Sequence, residues 1–184
     1  DAIKIAMVGK YVTLADSYVS VNEALKHASA SIGKSVNIDW IDSETLNGNL
    51  KQLDNFDGVL IPGGFGTRGS EGIIDTATYA LEKNIPYLGI CFGFQLAAVA
   101  FGRKICNLEN ANSTEIVADT KHPIIDLLPE QKDETDMGGS LRLGANEIKI
   151  NQDSLAHKIY SSDKIFKRHR HRYEFNTKYR EEFL

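Results

Sequence analysis

Tyr87-Leu88-Gly89-Ile90-Cys91-Phe92-Gly93-Phe94-Gln95 is the stretch whose reading decides the fold. Pro86 precedes it, and Tyr87 to Ile90 is a short apolar run that predicts a buried parallel strand. From Phe92 to Phe101 the chain is almost entirely apolar over about three helical turns, too long for a strand. Gly102, followed by Arg103 and Lys104, predicts the helix stop. Cys91 sits at the join, between Gly89 and Gly93. Gly-x-Cys-x-Gly is the cysteine form of a nucleophile elbow. An elbow strains the nucleophile's backbone, and side chains on either flank would collide with neighbouring elements. A thiol there meets a helix N-terminus, whose partial positive charge favours the thiolate. The N–H of Phe92 is left free to face an oxyanion. A lone cysteine on an apolar strand is ordinarily a packed core residue; the glycine bracket at a strand–helix join favours the nucleophile. Cys106 has no such bracket and reads as a small buried hydrophobe.

Working outward, 184 residues suit a single domain with a real core. A hydrophobic content of 42% and a charged content of 25% describe a soluble globular protein. The net charge of −4 gives no reason to expect nucleic acid as a partner. Two separated cysteines make neither a disulfide framework nor a zinc site, so no metal is expected and a reducing, cytoplasmic setting fits. No apolar run approaches the roughly 20 residues of a membrane span, and neither a signal peptide nor a membrane partner is expected. Asp1 stands where an initiator Met would, and the chain is expected to be a piece of a longer polypeptide.

The remaining elements follow from pattern. Ile3–Gly9 predicts a first strand. Val19–Ser31 predicts a helix capped by Asp16 or Ser17, with Val21, Ala24, Leu25 and Ala28 on one face. Ser35–Ile41 alternates as a second strand, Glu44–Leu53 reads as a short helix, and Phe56–Ile61 as a third strand. Ile73–Lys83 predicts a helix ahead of the elbow strand. This rhythm predicts an α/β fold, a doubly wound, mainly parallel sheet flanked by helices, with ligands beyond the strands' C-terminal ends. Three glycine-bearing turns, at Gly9, Gly63-Gly64 and Cys91, would share that rim. After Gly102, Glu115–Val117 reads as a strand, His122–Ile125 as a helical turn, and Pro129–Met137 as an acidic loop. Gly138–Gly144 and Asn146–Ile150 read as a small antiparallel extension, and Ser154–Tyr160 as a short helix.

Ile61-Pro62-Gly63-Gly64-Phe65-Gly66 is the second chemical element. Two glycines at a strand end free the backbone to turn bare N–H groups toward a cleft, where a second oxyanion donor is needed. The stretch is not a phosphate loop. In the basic run Arg168 to Arg172, alternation puts the arginines on one side of a strand and His169 and His171 on the other. Both histidines read as structural hydrogen-bonding residues.

Pro62-Gly63-Gly64-Phe65-Gly66 with Gly89-Ile90-Cys91-x-Gly93-x-Gln95 resembles the class I (triad) glutamine amidotransferases, which have a flavodoxin-like core. Three further stretches resemble the glutaminase domains of the CTP synthase family: Gly66-Thr67-Arg68-Gly69-Ser70-Glu71-Gly72, Glu109-Asn110-Ala111-Asn112-Ser113-Thr114-Glu115 and Arg168-His169-Arg170-His171-Arg172-Tyr173-Glu174. The resemblance runs from Ile3 to Asn176. Phe92 and Phe94 depart from it mildly, since the family more often has Leu and Met there.

The resemblance implies that residues 1–184 are one amidotransferase domain. It implies that Cys91 attacks the amide of L-glutamine, forms a thioester and releases ammonia. The N–H groups of Gly64 and Phe92 would hold the oxyanion, and Gly64, Phe92, Gly93, Phe94, Gln95, Glu115 and Arg172 would line the glutamine site. Gly66 to Gly72 would belong to a lid linked to activation by GTP. No cofactor is implied in this domain. ATP and Mg²⁺ would serve an N-terminal synthetase domain, absent from this chain, that makes CTP from UTP within a homo-oligomer, a tetramer. The family completes its triad with a late His-Pro-Glu; no His-x-Glu stands in these residues, so the domain is expected to be incomplete at its C-terminus. Two other classes share the elbow, an α/β cysteine hydrolase or isomerase and a catalytically inactive regulatory module. Gln95 and Glu115 argue against the first.

Overall fold

The first strand, β1 (Ile3–Gly9), takes a parallel partner on each side: β2 (Val36–Asp42) and β3 (Gly58–Ile61). The elbow strand β4 (Tyr87–Gly89) adds beyond β3, and the sheet order is β2-β1-β3-β4. This is a computed structural model, which describes residues 2–10, 15–46, 49–127 and 142–184. The chain forms two units, one of Asp1–Asp126 with Phe175–Leu184 and one of Leu127–Glu174.

In the first unit, Met7, Val8 and Ile61 are fully buried and Val59 and Leu60 nearly so, as expected of strands covered on both faces. The connection from β1 to β2 passes through helix α1 (Val19–Ser31), and that from β3 to β4 through α2 (Ser70–Lys83). The two crossovers run in opposite directions from the β1–β3 pair, so their common right-handedness places α1 and α2 on opposite faces. That is the doubly wound α/β fold predicted from sequence. Its direction of winding reverses between β1 and β3, where such sheets bind ligands beyond the strand ends.

Several boundaries differ from the sequence expectation. Asp16 and Ser17 do not cap α1. Ala15–Tyr18 forms a 3₁₀ turn, and Tyr18 stands at the cap with its buried ring stacked on Trp40 at 5.5 Å. Packing of a large aromatic outweighs the cap bond here. On the expected inner face of α1, Val21 and Leu25 are half-buried while Ala24 and Ala28 are exposed. The helix expected at 44–53 is a 3₁₀ turn at Leu50–Asn55. Helix α3 (Phe92–Lys104) runs through Gly102, which does not stop it. A Cβ there would come 3.2 Å from the Ile124 side chain, so this glycine serves close packing.

Beyond α3, β5 (Asn112–Ser113) pairs in parallel with β6 (Pro123–Leu127), whose apolar Ile124 and Ile125 are fully buried. The helical turn expected at 122–125 is therefore a strand, because burial of two β-branched side chains favours the extended chain. The strand expected at 115–117 is a turn. The N–H groups of Ile116 and Val117 both donate to the Ser113 carbonyl at 3.0 Å, and that of Glu115 donates to Ser113 Oγ at 3.2 Å.

In the second unit, β7 (Arg142–Lys149) pairs antiparallel with β8 (Lys164–His171), so the extension is antiparallel as expected. The two strands expected on either side of Ala145 are one, however, and its partner holds Arg168 to His171 of the basic run. Helix α4 (Leu155–Tyr160) lies between them, its first turn capped by Ser154 Oγ. The acidic loop at 129–137 and the start of the extension at 138–141 lie outside the described residues. Arg168 and Arg170 are exposed and His169 and His171 half-buried, as alternation predicts, but Arg172 departs from it: β8 ends at His171 and Arg172 is half-buried. His171 Nδ1 lies 3.1 Å from the Tyr173 carbonyl, a structural hydrogen bond.

Candidate active site

Cys91 has φ 53° and ψ −106°, in left-handed space that a non-glycine residue rarely enters. Its two flanks explain how the strain is held. A Cβ on Gly89 would stand 2.5 Å from the Phe94 nitrogen, and one on Gly93 would stand 2.8 Å from Ile61 Cβ. Strand and helix therefore meet only because both flanks are glycine, the arrangement the sequence predicts. The Ile90 N–H donates to Ile61 O at 2.9 Å and the Gln95 N–H to Cys91 O at 3.0 Å, locking the join to β3 on one side and to α3 on the other.

The N–H of Phe92 points at the Cys91 sulfur and lowers its pKa, but burial among protein atoms raises it by more, and the Glu115 carboxylate raises it too. The thiol thus sits above its ordinary range. The expectation of a favoured thiolate at the helix N-terminus is corrected: one N–H does not offset desolvation. Cys91 is nevertheless exposed by surface area, so the thiol is both crowded and reachable.

The glycine loop after β3 lies beside the elbow. A Cβ on Gly63 would be 3.8 Å from Cys91 Cβ, and one on Gly64 3.5 Å from the Phe92 ring. Gly66 has φ 78°, which the turn requires of a glycine. Its N–H donates to Glu115 Oε1 at 2.7 Å. Lys10, at the end of β1, donates from Nζ to the carbonyls of Phe65 at 2.8 Å and Gly66 at 2.6 Å, and stands 4.3 Å from the Phe92 ring centroid. Burial lowers the Lys10 pKa to about 8, with Glu115 and Glu44 acting to raise it and Arg68 to lower it.

Gly64, Cys91, Phe92, Gly93, Gln95 and Glu115 thus come together at one rim of the first unit. Phe92, Gly93 and Gln95 are buried, while the Phe94 ring is exposed. Arg172 lies in the second unit, between β8 and a short strand β9 (Tyr173–Phe175). The expected lid, 66–72, divides: residues 70–72 are already the first turn of α2, and a Cβ on Gly72 would strike the Ser43 backbone. Cys106 is only half-buried and its thiol donates to the Glu182 carbonyl at 3.1 Å, so it is less of a core residue than its sequence suggests. Sequence reasoning noted the turn at Gly9 but missed Lys10; the available signal was a lysine directly after the first strand of a doubly wound sheet.

The glutamine amidotransferase class-I family model matches residues 13–183. The chain belongs to that family. This amidotransferase is 55% identical over 182 residues to a CTP synthase of Halalkalibacterium halodurans, covering 98% of this chain and 34% of the relative. It is 52% identical over 179 residues to a CTP synthase of Archaeoglobus fulgidus, covering 95% of this chain and 33% of the relative. It spans about a third of the length of these relatives. Among solved structures, the glutaminase domain of Trypanosoma brucei CTPS with bound acivicin superposes with a TM-score of 0.92 at 36% identity, covering 99% of this chain and 71% of that one. By sequence and by fold, this amidotransferase groups with the glutaminase domains of CTP synthases. Among the described residues, no three His, Cys, Asp or Glu side chains gather as metal ligands, and no helix is long and apolar enough to cross a membrane.

Proposed function

We propose that the chain is the ammonia-producing domain of a CTP synthase, with Cys91 as its nucleophile. The observation that carries this is the strained Cys91 backbone, with the Phe92 N–H on the sulfur and the Gly63-Gly64 turn alongside. Attack of Sγ on the side-chain amide carbon of L-glutamine forms a C–S bond and moves an electron pair onto the oxygen. As the C–S bond forms, the Phe92 N–H passes from the sulfur to that oxyanion, which the Gly64 N–H also receives. Collapse breaks the C–N bond. The leaving nitrogen takes up one proton, equivalent to the one lost by the thiol, and departs as ammonia. Water then cleaves the thioester, releasing glutamate and restoring the thiol. Because burial holds the thiol in its protonated form, a base must assist, a role the family gives to a His-Pro-Glu histidine.

Gly93, Phe94 and Gln95 lie along the same helix start and frame the glutamine site. Glu115 has its Oε1 on the Gly66 N–H, which leaves Oε2 to accept the substrate's α-ammonium. Arg172 binds the substrate carboxylate, on the strength of its place in the Arg-His-Arg-His-Arg run. The two units act as one amidotransferase domain. The ammonia passes to a synthetase domain of the same polypeptide, where ATP and Mg²⁺ drive UTP to CTP, with GTP as activator, in a cytoplasmic homotetramer. The test is Cys91→Ala in the full-length protein: glutamine-dependent CTP formation is lost and ammonia-dependent formation persists. Retention of glutamine use by Cys91→Ala contradicts the assignment.

A further inference from the structure

Lys10 is 6% exposed, in a place where an ammonium is costly unless fully partnered. Its two carbonyl partners and its ring contact all belong to the oxyanion machinery or the turn that carries it. The Phe65–Gly66 peptide is gripped from both sides: its carbonyl accepts from Lys10 Nζ at 2.8 Å, and its N–H donates to Glu115 Oε1 at 2.7 Å. The lysine is itself anchored, since Arg68 Nη2 donates to the Lys10 carbonyl at 2.8 Å while Arg68 Nη1 pairs with Glu44 at 2.6 Å.

A peptide plane held by a cation on one edge and an anion on the other cannot rotate without losing a charge-assisted bond. The peptide carrying the Gly64 N–H lies two links upstream, in a run whose glycines resist rotation poorly. Fixing the Phe65–Gly66 plane limits how far the Gly64 N–H can swing. The same ammonium lies over the Phe92 ring, on the residue that supplies the other donor. We propose that Lys10 is a positioning residue, which clamps the Phe65–Gly66 peptide and thereby aims the Gly64 N–H at the developing oxyanion. This rests on the reading of Cys91, Gly64 and Phe92 given above. Lys10 reaches the reaction only through the backbone it holds.

The test compares Lys10→Met and Lys10→Arg with the parent in the full-length protein, by glutamine hydrolysis and by alkylation of Cys91 with iodoacetamide. Alkylation displaces iodide at a saturated carbon and forms no oxyanion. Outright loss of an oxyanion donor costs about 10²–10³ in kcat. A donor left in place but loosely aimed predicts a fall in kcat of about 10 to 100-fold for Lys10→Met, with KM within about threefold. Cys91 alkylation stays within about twofold, and Lys10→Arg, which can still donate to two carbonyls, recovers most of kcat. The proposal is overturned if Lys10→Met keeps the parent kcat, or if alkylation falls as far as kcat, which marks a collapsed fold. Cys91→Ala in parallel separates the two claims: its inactivity beside an unaffected Lys10→Met sinks only the clamp, whereas its activity sinks the underlying site.

Discussion

Two glycine-rich turns face each other in this amidotransferase, and they are held in different ways. At the elbow, Gly89 and Gly93 are needed for space, because a Cβ on either would overlap the backbone or side chain of a neighbour. In the loop after β3, Gly63 and Gly64 have room for a Cβ at ordinary contact distance, and Gly66 has nothing within 4 Å. That loop is held by Lys10 and Glu115 on the two edges of one peptide. Atoms in contact enforce the strain at Cys91, and charges drawn from distant parts of the chain hold the loop beside it. Contact is insensitive to pH and salt and leaves no slack; a charged clamp can be loosened by removing a charge.

Alanine at the two turns breaks this contrast if it is wrong. Gly93→Ala must push Ile61 or the elbow aside, and overpacking of this kind costs about 1–3 kcal/mol. Displacement of the sulfur by about 1 Å further predicts a loss of about 10² or more in glutamine turnover. Gly64→Ala keeps stability within about 1 kcal/mol of the parent. Urea denaturation and glutaminase assays of both variants read this out. Equal destabilisation by the two would mean that the loop, too, is held by contact.

The contrast also explains what could be read from the sequence. The elbow is local: strand, cysteine, glycines and helix lie within nine residues, from Tyr87 to Gln95, and their spacing carries the geometry. The extents of β1 and α1 were legible too, but the cap of α1 and half of its expected inner face were not, because Tyr18 packing and not a side-chain bond sets the helix start. The Lys10 clamp joins residues 55 and 56 positions apart, and the Glu115 bond spans 49, so no window of sequence contains either. The misread strand at 115–117 has a related cause. Ile116 and Val117 favour a strand, but the Ser113 carbonyl and hydroxyl bind the next N–H groups and fold the chain into the turn that presents Glu115.

Glu115 sharpens the comparison from the loop's side. Glu115→Ala removes both the partner of the Gly66 N–H and the acceptor assigned to the substrate's ammonium. A charge-assisted hydrogen bond is worth about 1.5–3 kcal/mol, which predicts a fall of roughly 10 to 100-fold in kcat/KM for glutamine. Ammonia-dependent synthesis is unaffected, since ammonia bypasses the pocket. Steady-state kinetics with both nitrogen donors decide this, and an equal fall with ammonia would make Glu115 a support of the fold.

The smallest effect is on stability against pH. Lys10 titrates near 8 in the folded chain, below its ordinary value of 10.5. Between those values the unfolded chain binds more protons than the folded one, so stability rises with pH across this window. Below about pH 8 both states carry the proton and the cost of burying the charge is present in full. The slope attributable to this residue is at most about 1.4 kcal/mol per pH unit. Denaturation curves from pH 7 to 10.5 on the parent and on Lys10→Met, which lacks that slope, measure it; identical slopes would mean that the lysine is not held as described.

The central claim is that the strained thiol, and not the other one, performs the chemistry. Acivicin, the compound bound in the Trypanosoma brucei glutaminase domain, tests it most directly. The full-length protein is treated with acivicin with and without excess L-glutamine, digested, and its cysteine peptides are weighed by mass spectrometry. The account predicts a single adduct on Cys91, suppressed by glutamine, with Cys106 unmodified; an adduct on Cys106 with Cys91 free would contradict it.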